Sequence, residues 1–392
     1  MFHLATILLC LSATFIKIDA LSEEFKRINV LFTADLYKEL LKTNPENFVV
    51  CPLSIETVLA MLHAGAGGRT AKELADGSKV PDNSIKVQNL FKELKLQEEQ
   101  LYTLRSVNKL YLANRFSING NYREIVRNVF KAEIENVNFS NNENAARTIN
   151  YWVENQTRNK IKDLIKAEYL GPYTVSVLVN AIYFNADWLD PFDSLLTKQS
   201  RFHLNRAQQV DVEMMRTVLD TPIYVNDQLG ATFLELPYKS EDVSMTFVLP
   251  QDIDGMPRLE ANMQEVLKRQ PFDDVRQVTI AIPKFKMETS ISLEPILKNL
   301  GIRDAFTGSA NFSAMTINDH NVFLTRVEQK AFIEVTEKGT TAGAATFAIS
   351  EDRSFGATFI ANRPFIYILR HNTNGILFVG KFSNPVGTKV SE

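Results

Sequence analysis

Apolar residues recur every three to four positions along much of the first half of the chain, which is the spacing of amphipathic helices. Residues 22–42 show this spacing clearly, with Phe25 and Leu36 on the apolar face. Ser54 is placed to cap a second helix, which the glycine-rich turn at 65–68 would end. The same pattern predicts further helices over 84–98, 121–131 and 145–166.

From residue 175 onward the chain has the composition of β-strands. The segments 175–184, 244–250 and 278–287 are rich in β-branched and aromatic residues. Residues 365–382 form two apolar runs around Asn-Thr-Asn-Gly, which is typical of a hairpin turn. No repeat, low-complexity linker or block of like charge interrupts the chain. Helices first and strands later, with a few helices among them, predict one large α+β unit with mixed sheets.

The amino terminus indicates the compartment. Residues 4–16 are an apolar run of 13, too short to span a bilayer comfortably, and a small residue, Ala20, follows soon after. We interpret 1–20 as a secretory signal peptide cleaved after Ala20, so that the mature domain is 21–392 and extracellular. A buried amino-terminal helix is the alternative. No later run reaches 18 apolar residues, so we expect no association with membranes.

Composition and charge exclude several classes of protein. Hydrophobic residues make up 45% and charged residues 23%, which excludes a disordered chain. The 43 basic and 46 acidic residues give a net charge of −3, so there is no basic field for nucleic acid. Removal of the signal leaves Cys51 as the only cysteine, and no intramolecular disulfide can form. Asn138, Asn155 and Asn311 begin glycosylation sequons.

The motifs of common enzymes are missing. The sequence contains no G-x-S-x-G, H-E-x-x-H, C-x-x-C or Walker A motif, and no two histidines stand at metal-ligand spacing. A catalytic triad need not be local in sequence, so this pattern disfavours an enzyme without excluding one. We therefore expect no catalytic residues, no metal site and no required cofactor.

Residues 337–355, EKGTTAGAATFAISEDRSF, differ from every other loop of the chain. No charge occurs between Gly339 and Ser350, and no proline occurs between Pro295 and Pro364, whereas a solvated linker normally carries one or the other. Small residues and free backbone donors suit a strand that enters a sheet. At period two, Thr340, Ala342, Ala344 and Thr346 share one face. A small-residue strand or a flexible loop is the alternative.

A single arginine follows this segment. Arg353 stands after Glu351 and Asp352 and before Ser354. Trypsin-like proteases cleave after arginine because a buried aspartate in their specificity pocket pairs with the guanidinium. Arg353 could therefore act as bait at the end of an insertable segment, or it could simply be a solvated side chain.

Several segments, in order along the chain, resemble the serpin family. Asn47-Phe-Val-Val-Cys-Pro-Leu-Ser-Ile is similar to the family's Asn-x-x-x-Ser-Pro-x-Ser-Ile, and residues 178–184 with Trp188 resemble its central strand and breach tryptophan. Further similar segments are 282–286, 361–366 and 379–385. The likeness extends from the first helix to the carboxyl terminus, so it is far more specific than any single motif.

The resemblance implies a single α+β serpin domain of three β-sheets with eight or nine helices and an exposed reactive loop at about 338–362. It implies a hinge similar to that of inhibitory members, formed by Glu337, Gly339, Thr340, Ala342 and Ala344. Counting Glu337 as position 1, position 17 is Arg353, and counting back 11 from Pro364 also gives Arg353. Both counts place the scissile bond at Arg353–Ser354.

The implied activity is suicide inhibition of a trypsin-like serine protease. The protease would form an acyl-enzyme with Arg353, and the freed loop would insert into a sheet and trap the protease covalently. Glu351 and Asp352 predict selectivity for a protease with a basic cleft. We expect a monomer. Secretion without disulfides and an arginine bait also resemble arthropod haemolymph serpins, an analogy that points to an immune cascade of the melanisation or Toll type.

Two positions depart from the family pattern. Cys51, Ser54, Asn180 and Gln329 fall in the family's shutter, where a serine usually replaces Cys51 and a histidine usually replaces Gln329. Because cysteine is a weaker hydrogen-bonding group than serine, shutter behaviour is expected to differ here. We expect Cys51 itself to be buried and unreactive.

The fourth helix of some family members binds heparin. Here that region carries Lys86, Lys92 and Lys95, but Glu93, Glu98 and Glu99 dilute their charge. The sequence favours a solvated helix face, and a site for a heparin-like glycosaminoglycan is the alternative.

A second function from another class stays open. Some serpins are not inhibitors, and such a protein would serve in storage, as a chaperone or as a ligand carrier. Non-inhibitory members tend to carry proline, charge or bulk at the hinge, where this chain has Thr340, Ala342 and Ala344.

Overall fold

A computed structural model describes residues 23–92, 94, 101–272, 274–317, 321–339 and 356–388. Nine α-helices occur within these ranges, and they are α1 (23–41), α2 (Pro52–Ala64), α3 (Gly68–Ser78), α4 (Ser84–Lys92), α5 (Gly120–Asn128), α6 (Asn142–Gln156), α7 (Met256–Ala261), α8 (Met263–Leu267) and α9 (Glu294–Asn299). The strands of the same ranges are β1 (Phe48–Val50), β2 (Tyr102–Ala113), β3 (Glu133–Val137), β4 (Ser176–Ala186), β5 (Lys198–His203), β6 (Gln209–Asn226), β7 (Ala231–Pro237), β8 (Val243–Pro250), β9 (Val275–Pro283), β10 (Phe285–Ser292), β11 (Arg326–Val335), β12 (Ala357–Ile360), β13 (Phe365–His371) and β14 (Gly375–Phe382).

The strands form two hydrogen-bonded networks. One is a five-stranded sheet in the order β10-β11-β4-β2-β3. The other runs β1-β14-β13-β8-β7-β6-β9-β12, with β5 also paired to β6. The 18-residue strand β6 pairs with β5 near its start, with β9 along its middle and with β7 near its end, so it belongs to two sheets and joins them. The predicted α+β architecture of three sheets and eight or nine helices is confirmed.

Helix α2 lies at the centre of the core. Twelve of its thirteen residues, Pro52 to His63, are buried, because α2 packs against other helices and against strands of both networks. The predicted cap at Ser54 is wrong, since the helix already begins at Pro52. Proline suits the first helical position, where its missing N–H costs no intrahelical bond. Ser54 lies inside the helix, and its hydroxyl is free to bond across to the five-stranded sheet.

The boundaries of three predicted helices also differ from the structure. Helix α4 ends at Lys92, and α5 ends at Asn128 rather than 131. The prediction of one helix over 145–166 is wrong, since α6 spans Asn142–Gln156. The Thr157 hydroxyl accepts a bond from Ile161 N at 3.2 Å, and Arg158 and Asn159 have positive φ, so the helix stops there.

The sequence pattern missed strands β1, β2 and β3 in the first half of the chain. Strand β2 is 12 residues long and pairs with β4 over eleven residues. Its second half, from Asn108 to Ala113, is buried on both faces, so it lacks the strict alternation of a half-exposed strand. The hairpin predicted over 365–382 is confirmed as β13 and β14, with Gly375 at φ 79° after the turn.

Candidate functional site

The pairing of β4 with β11 forms a seam in the middle of the five-stranded sheet. It is a parallel ladder, from Arg326 opposite Val177 to Phe332 opposite Tyr183. Both strands continue beyond this last pair, β11 to Val335 and β4 to Ala186, without further ladder pairs between these residues. The β4–β11 ladder therefore stops three residues before the strand ends, on the side where the chain leaves β11, and this is called the unzipped end of the seam.

A buried polar row crosses the seam at the shutter. Gln329 on β11 lies opposite Asn180 on β4, which in turn lies opposite Asn108 on β2. Gln329 Nε2 donates to Asn180 Oδ1 at 2.5 Å, and Asn180 Nδ2 donates to Asn108 Oδ1 and to Ser54 Oγ. Ser54 Oγ also lies 2.8 Å from Ser106 Oγ. These bonds tie helix α2 to three strands, on both sides of the seam.

The two unusual shutter residues pair with each other. Gln329 Nε2 donates to the Cys51 carbonyl at 3.2 Å, and Cys51 N donates to Gln329 Oε1 at 3.3 Å. The amide of Gln329 thus bonds the backbone just before α2, as a neighbouring strand would. The Cys51 side chain is fully buried, and burial raises the pKa of its thiol far above the ordinary value, so the thiol is neutral.

The first residues of the hinge, directly after β11, are held by hydrogen bonds and an ion pair. Glu337 is 8% exposed; its carboxylate accepts a bond from Thr197 Oγ1 at 2.9 Å and pairs with Lys284 Nζ at 3.3 Å. Phe192 N donates to the Glu337 carbonyl at 2.7 Å, and Trp188 N donates to the Lys338 carbonyl at 2.9 Å. Glu337 is thereby held beside the unzipped end of the seam.

Trp188 covers this end of the seam. Its ring stacks on Tyr238 at 4.3 Å between centroids, and its Nε1 donates to the Thr336 carbonyl at 3.0 Å. Gly339 has φ 139°, and a Cβ there would lie 2.2 Å from the Ala186 carbonyl oxygen. Only glycine fits so close to the backbone of β4. Trp188 belongs to this region and not to the shutter row below.

The remaining predicted residues of the loop lie outside the described residues. These are the hinge positions Thr340, Ala342 and Ala344, the acids Glu351 and Asp352, and the bond Arg353–Ser354. The chain is described again from Gly356, which leads into β12 at the edge of its sheet. The two described ends of the loop are therefore strands of different sheets.

The surface residues singled out from the sequence have ordinary surroundings. Lys86 pairs with Glu24 at 2.8 Å, Lys92 ends α4, and Lys95 lies outside the described residues. The pairing of Lys86 reduces the charge available to a polyanion. The sequon residues Asn138, Asn155 and Asn311 are all exposed, so a glycan could extend into solvent at each of them.

Sequence reasoning missed the partners that complete the site. Asn108 and Ser106 lie on β2, which was not predicted, and so the third strand of the shutter row was not expected. Lys284 and Tyr238 lie about 50 and 100 residues before the hinge, and only the fold brings them beside Glu337 and Trp188. A lysine in a strand-like segment was the one available signal for this partly buried ion pair.

Two features are absent from the described residues. In this part of the chain, no three His, Cys, Asp or Glu side chains are arranged to hold a metal ion. No helix that the structure describes combines the length and apolar character needed to cross a bilayer.

Comparisons with known proteins agree with this geometry. The family model described as "Serpin (serine protease inhibitor)" matches residues 27–385. Antitrypsin of Bombyx mori is 33% identical, covering 95% of this chain and 97% of its own. The crystal structure of Serpin48, a highly specific serpin of the insect Tenebrio molitor, superposes with a TM-score of 0.86 at 35% identity and covers 92% of this chain and 98% of its own. Human thyroxine-binding globulin complexed with thyroine superposes with a TM-score of 0.83 at 29% identity, 93% and 99% coverage.

The family model spans most of the chain, and relatives match over nearly their whole length. The predicted serpin fold is confirmed, as is the prediction of an inhibitor rather than an enzyme. This chain belongs to the serpin family of serine protease inhibitors.

Proposed function

We propose that this serpin is a secreted suicide inhibitor of a trypsin-like serine protease, cleaved at Arg353–Ser354. The protease serine attacks the carbonyl carbon of Arg353, the bond to Ser354 breaks, and the new amino terminus at Ser354 takes up a proton. Residues 354–392 are then no longer joined covalently to the rest of the chain, although β12, β13 and β14 stay paired in their sheet, and Arg353 stays esterified to the protease. The freed segment enters the seam between β4 and β11 and carries the protease along.

The observation that carries this proposal is the seam beside the hinge. The loop leaves the end of β11 and would turn back beside it, so an inserted strand runs antiparallel to both β11 and β4. One parallel ladder is thus replaced by two antiparallel ladders, which are slightly more stable per residue. The 14 residues from Thr340 to Arg353 span about 45 Å at roughly 3.3 Å each, which is enough to carry the protease along the sheet.

Residues outside the seam support the finer parts of the proposal. The signal-like segment 1–20 and the three exposed sequons suit a secreted glycoprotein. The bait Arg353 suits trypsin-like specificity, and one relative is named antitrypsin. Glu351 and Asp352 suit a protease with a basic cleft. The resemblance to haemolymph serpins favours an extracellular immune cascade as the setting, and a heparin-like polyanion on α4 is a weaker proposal because Lys86 is already paired.

A gel with trypsin tests the inhibitory function. The wild-type protein should form an SDS-stable complex and release a fragment of residues 354–392. Arg353→Ala should not capture trypsin. Thr340→Arg should be cleaved without forming the complex, whereas Thr358→Arg, on the exposed face of β12, should behave as wild type. Clean cleavage of the wild type without any complex would refute the proposal.

One cavity favours a second function, carriage of a small amphipathic anion. It has a volume of about 320 Å³ and lies between α1, α8 and the turn that joins β13 to β14. Its wall contains apolar Leu31 and Ile376 together with the cations Arg27 and Arg370. Arg370 is 8% exposed and donates to the Leu267 carbonyl at 2.8 Å; burial lowers the pKa of Arg370 to about 10, so it stays charged at neutral pH.

Thyroxine is a suitable probe, because it carries both a carboxylate and large apolar rings. Equilibrium dialysis with the intact protein should show saturable binding that Arg27→Ala weakens and that Arg201→Ala, on the distant strand β5, does not. Binding that both variants leave unchanged would refute this site. If the protein binds thyroxine in this cavity but forms no complex with trypsin on the gel, ligand carriage would be its main function.

A further inference from the structure

A buried acid of α2, Glu56, lies behind the wall of the cavity between α1, α8 and the turn that joins β13 to β14. Asn29 and Ile376 both belong to that wall. Asn29 Nδ2 donates to Glu56 Oε2 at 2.7 Å, and Asn29 Oδ1 accepts a bond from Ile376 N at 2.7 Å. The Asn29 side chain therefore connects the carboxyl group of α2 with the wall of the cavity.

The Asn29 side chain is fixed at both ends of its amide. Besides the two bonds of 2.7 Å, its Nδ2 lies 3.4 Å from the Ile376 carbonyl oxygen. The turn packs closely on it, since a Cβ on Gly375 would lie 2.8 Å from Asn29 Oδ1. Asn29 is also fully buried. A charge on Glu56 consequently acts on the cavity at a fixed distance, because the wall has no room to rearrange around it.

Glu56 has no ion-pair partner among the described residues. Its Oε2 accepts the bond from Asn29, and its Oε1 has no hydrogen-bond partner. The buried Cys51 thiol, whose pKa Glu56 helps to raise, is neutral and supplies no counter-charge. Burial therefore raises the pKa of Glu56 to about 8, so this carboxyl group changes its charge at mildly alkaline pH.

The other charges that face Glu56 across Asn29 are those of the cavity. The ionisable side chains of its lining are Glu23, Lys26, Arg27, Lys268, Arg269, Arg370 and His371. Three of these cations pair with acids at 2.6–2.9 Å, and they are Lys26, Lys268 and Arg269. Arg27 and Arg370 remain the cations that attract an anion into the cavity.

Ionised Glu56 opposes this attraction. One hydrogen bond, the Asn29 side chain and one contact distance place its charge about 8–10 Å from an anion in the cavity. At an effective dielectric constant of about 20, a unit charge at that distance changes an affinity roughly 15- to 30-fold. Neutral Glu56 has no such effect. The affinity of the cavity for an anion thus depends on whether this one carboxyl group carries its proton.

We propose that the cavity takes up its anion together with a proton on Glu56, so that the anion is held while the carboxyl group is neutral and released as it ionises. The inference rests on the proposed carriage of a small amphipathic anion and adds its regulation. Glu56 never touches the ligand and acts through its charge behind Asn29. Because such coupling is reciprocal, a bound anion must favour the protonated form of Glu56 by the same factor.

The test uses the intact protein and two fluorescent probes with similar aromatic rings. Anilinonaphthalene sulfonate is an anion at every pH used, whereas phenylnaphthylamine is uncharged. Each is titrated into wild type and Glu56→Gln between about pH 6.5 and about pH 9.5. For the sulfonate, the dissociation constant of the wild type divided by that of Glu56→Gln should rise from about 1 to about 10–30 across this range. For the uncharged probe, the ratio should stay near 1.

Two further variants serve as controls. Glu23→Gln removes a carboxylate that lines the cavity but has a side chain 72% exposed to solvent. Its ratio to the wild type should not vary over the same pH range. Arg27→Ala should weaken the saturable signal and so identifies binding in the cavity. His371 is common to all these proteins, so its contribution cancels in each ratio.

Two results would overturn the proton linkage. If the ratio for the sulfonate is flat, or if the uncharged probe follows the same curve, the charge of Glu56 does not act on the anion, and the linkage is refuted while carriage itself stands. If neither probe shows saturable binding that Arg27→Ala weakens, the cavity carries no such ligand, and the proposed second function fails together with the linkage.

Discussion

The stability of this protein should depend on a single buried acid of α2. Glu56 lies two residues after Ser54 and is fully buried. Asn29 Nδ2 donates to one of its carboxylate oxygens at 2.7 Å, and Asn29 Oδ1 accepts a bond from Ile376 N on β14 at the same distance. The other carboxylate oxygen, Oε1, has no hydrogen-bond partner. Burial with one neutral partner raises the pKa of Glu56 from the usual 4.5 to about 8.

The direction of the pH effect follows from this shift. Because the folded protein holds the proton of Glu56 more tightly than the unfolded chain does, the stabilisation is complete below about pH 4.5. This stabilisation decreases as the pH rises towards 8. Above that value, Glu56 no longer changes the free energy of unfolding with pH. At 1.36 kcal/mol per pKa unit, the raised pKa corresponds in total to about 5 kcal/mol in the free energy of unfolding.

Glu56→Gln removes the ionisation but keeps the shape of the side chain. We expect the free energy of unfolding in urea, measured for the variant minus the wild type, to increase by about 4 kcal/mol between pH 5 and pH 9. Glu265→Gln is the control, since its exposed carboxylate pairs only with Lys268 at the surface, and its difference should be nearly flat. If the Glu56→Gln difference is equally flat, the carboxyl is already ionised in the folded protein, and the reasoning is wrong.

Three substitutions at the seam test the site itself. Asn180→Ala removes the centre of the shutter row and should lower the free energy of unfolding by about 2–3 kcal/mol in urea, because it leaves buried partners unsatisfied. Gly339→Ala should lower the thermal midpoint, because its Cβ would lie 2.2 Å from the Ala186 carbonyl oxygen; an unchanged midpoint would contradict this hinge geometry. Lys284→Gln removes the ion pair with Glu337 and should lower the free energy of unfolding by about 2 kcal/mol. The double variant that also carries Glu337→Gln should be no less stable than Lys284→Gln alone, because the same pair is already broken.

The sequence could predict the elements whose pattern is local. The hairpin of β13 and β14 has a turn sequence between two apolar runs, and its pairing needs no distant information. The first helix has a regular apolar face and matches the structure to within a residue at each end. Family motifs could then place Asn180, Ser54 and Gln329 in one region, because the resemblance supplies the distant contacts that a single sequence lacks.

The parts that were missed depend on tertiary contacts. The helical spacing of apolar residues over 145–166 continues past Gln156. The helix itself ends there, because the Thr157 hydroxyl bonds Ile161 N and the next two residues have positive φ. The residues beyond this point form a connection whose carbonyl groups at Lys162 and Tyr169 accept bonds from β11, and the error at one helix end hid these contacts. Likewise, the second half of β2 is buried on both faces and shows no simple alternation, and its Asn108 was therefore not expected in the shutter.

The central proposal is that the freed loop inserts between β4 and β11, where two antiparallel ladders then replace one parallel ladder. The most direct measurement compares the urea midpoint of the native protein with that of the cleaved protein purified from the trypsin reaction. We predict that the cleaved protein stays folded at urea concentrations that unfold the native protein, because its seam then holds two antiparallel ladders. A cleaved protein that unfolds at the native midpoint or below it would contradict the account.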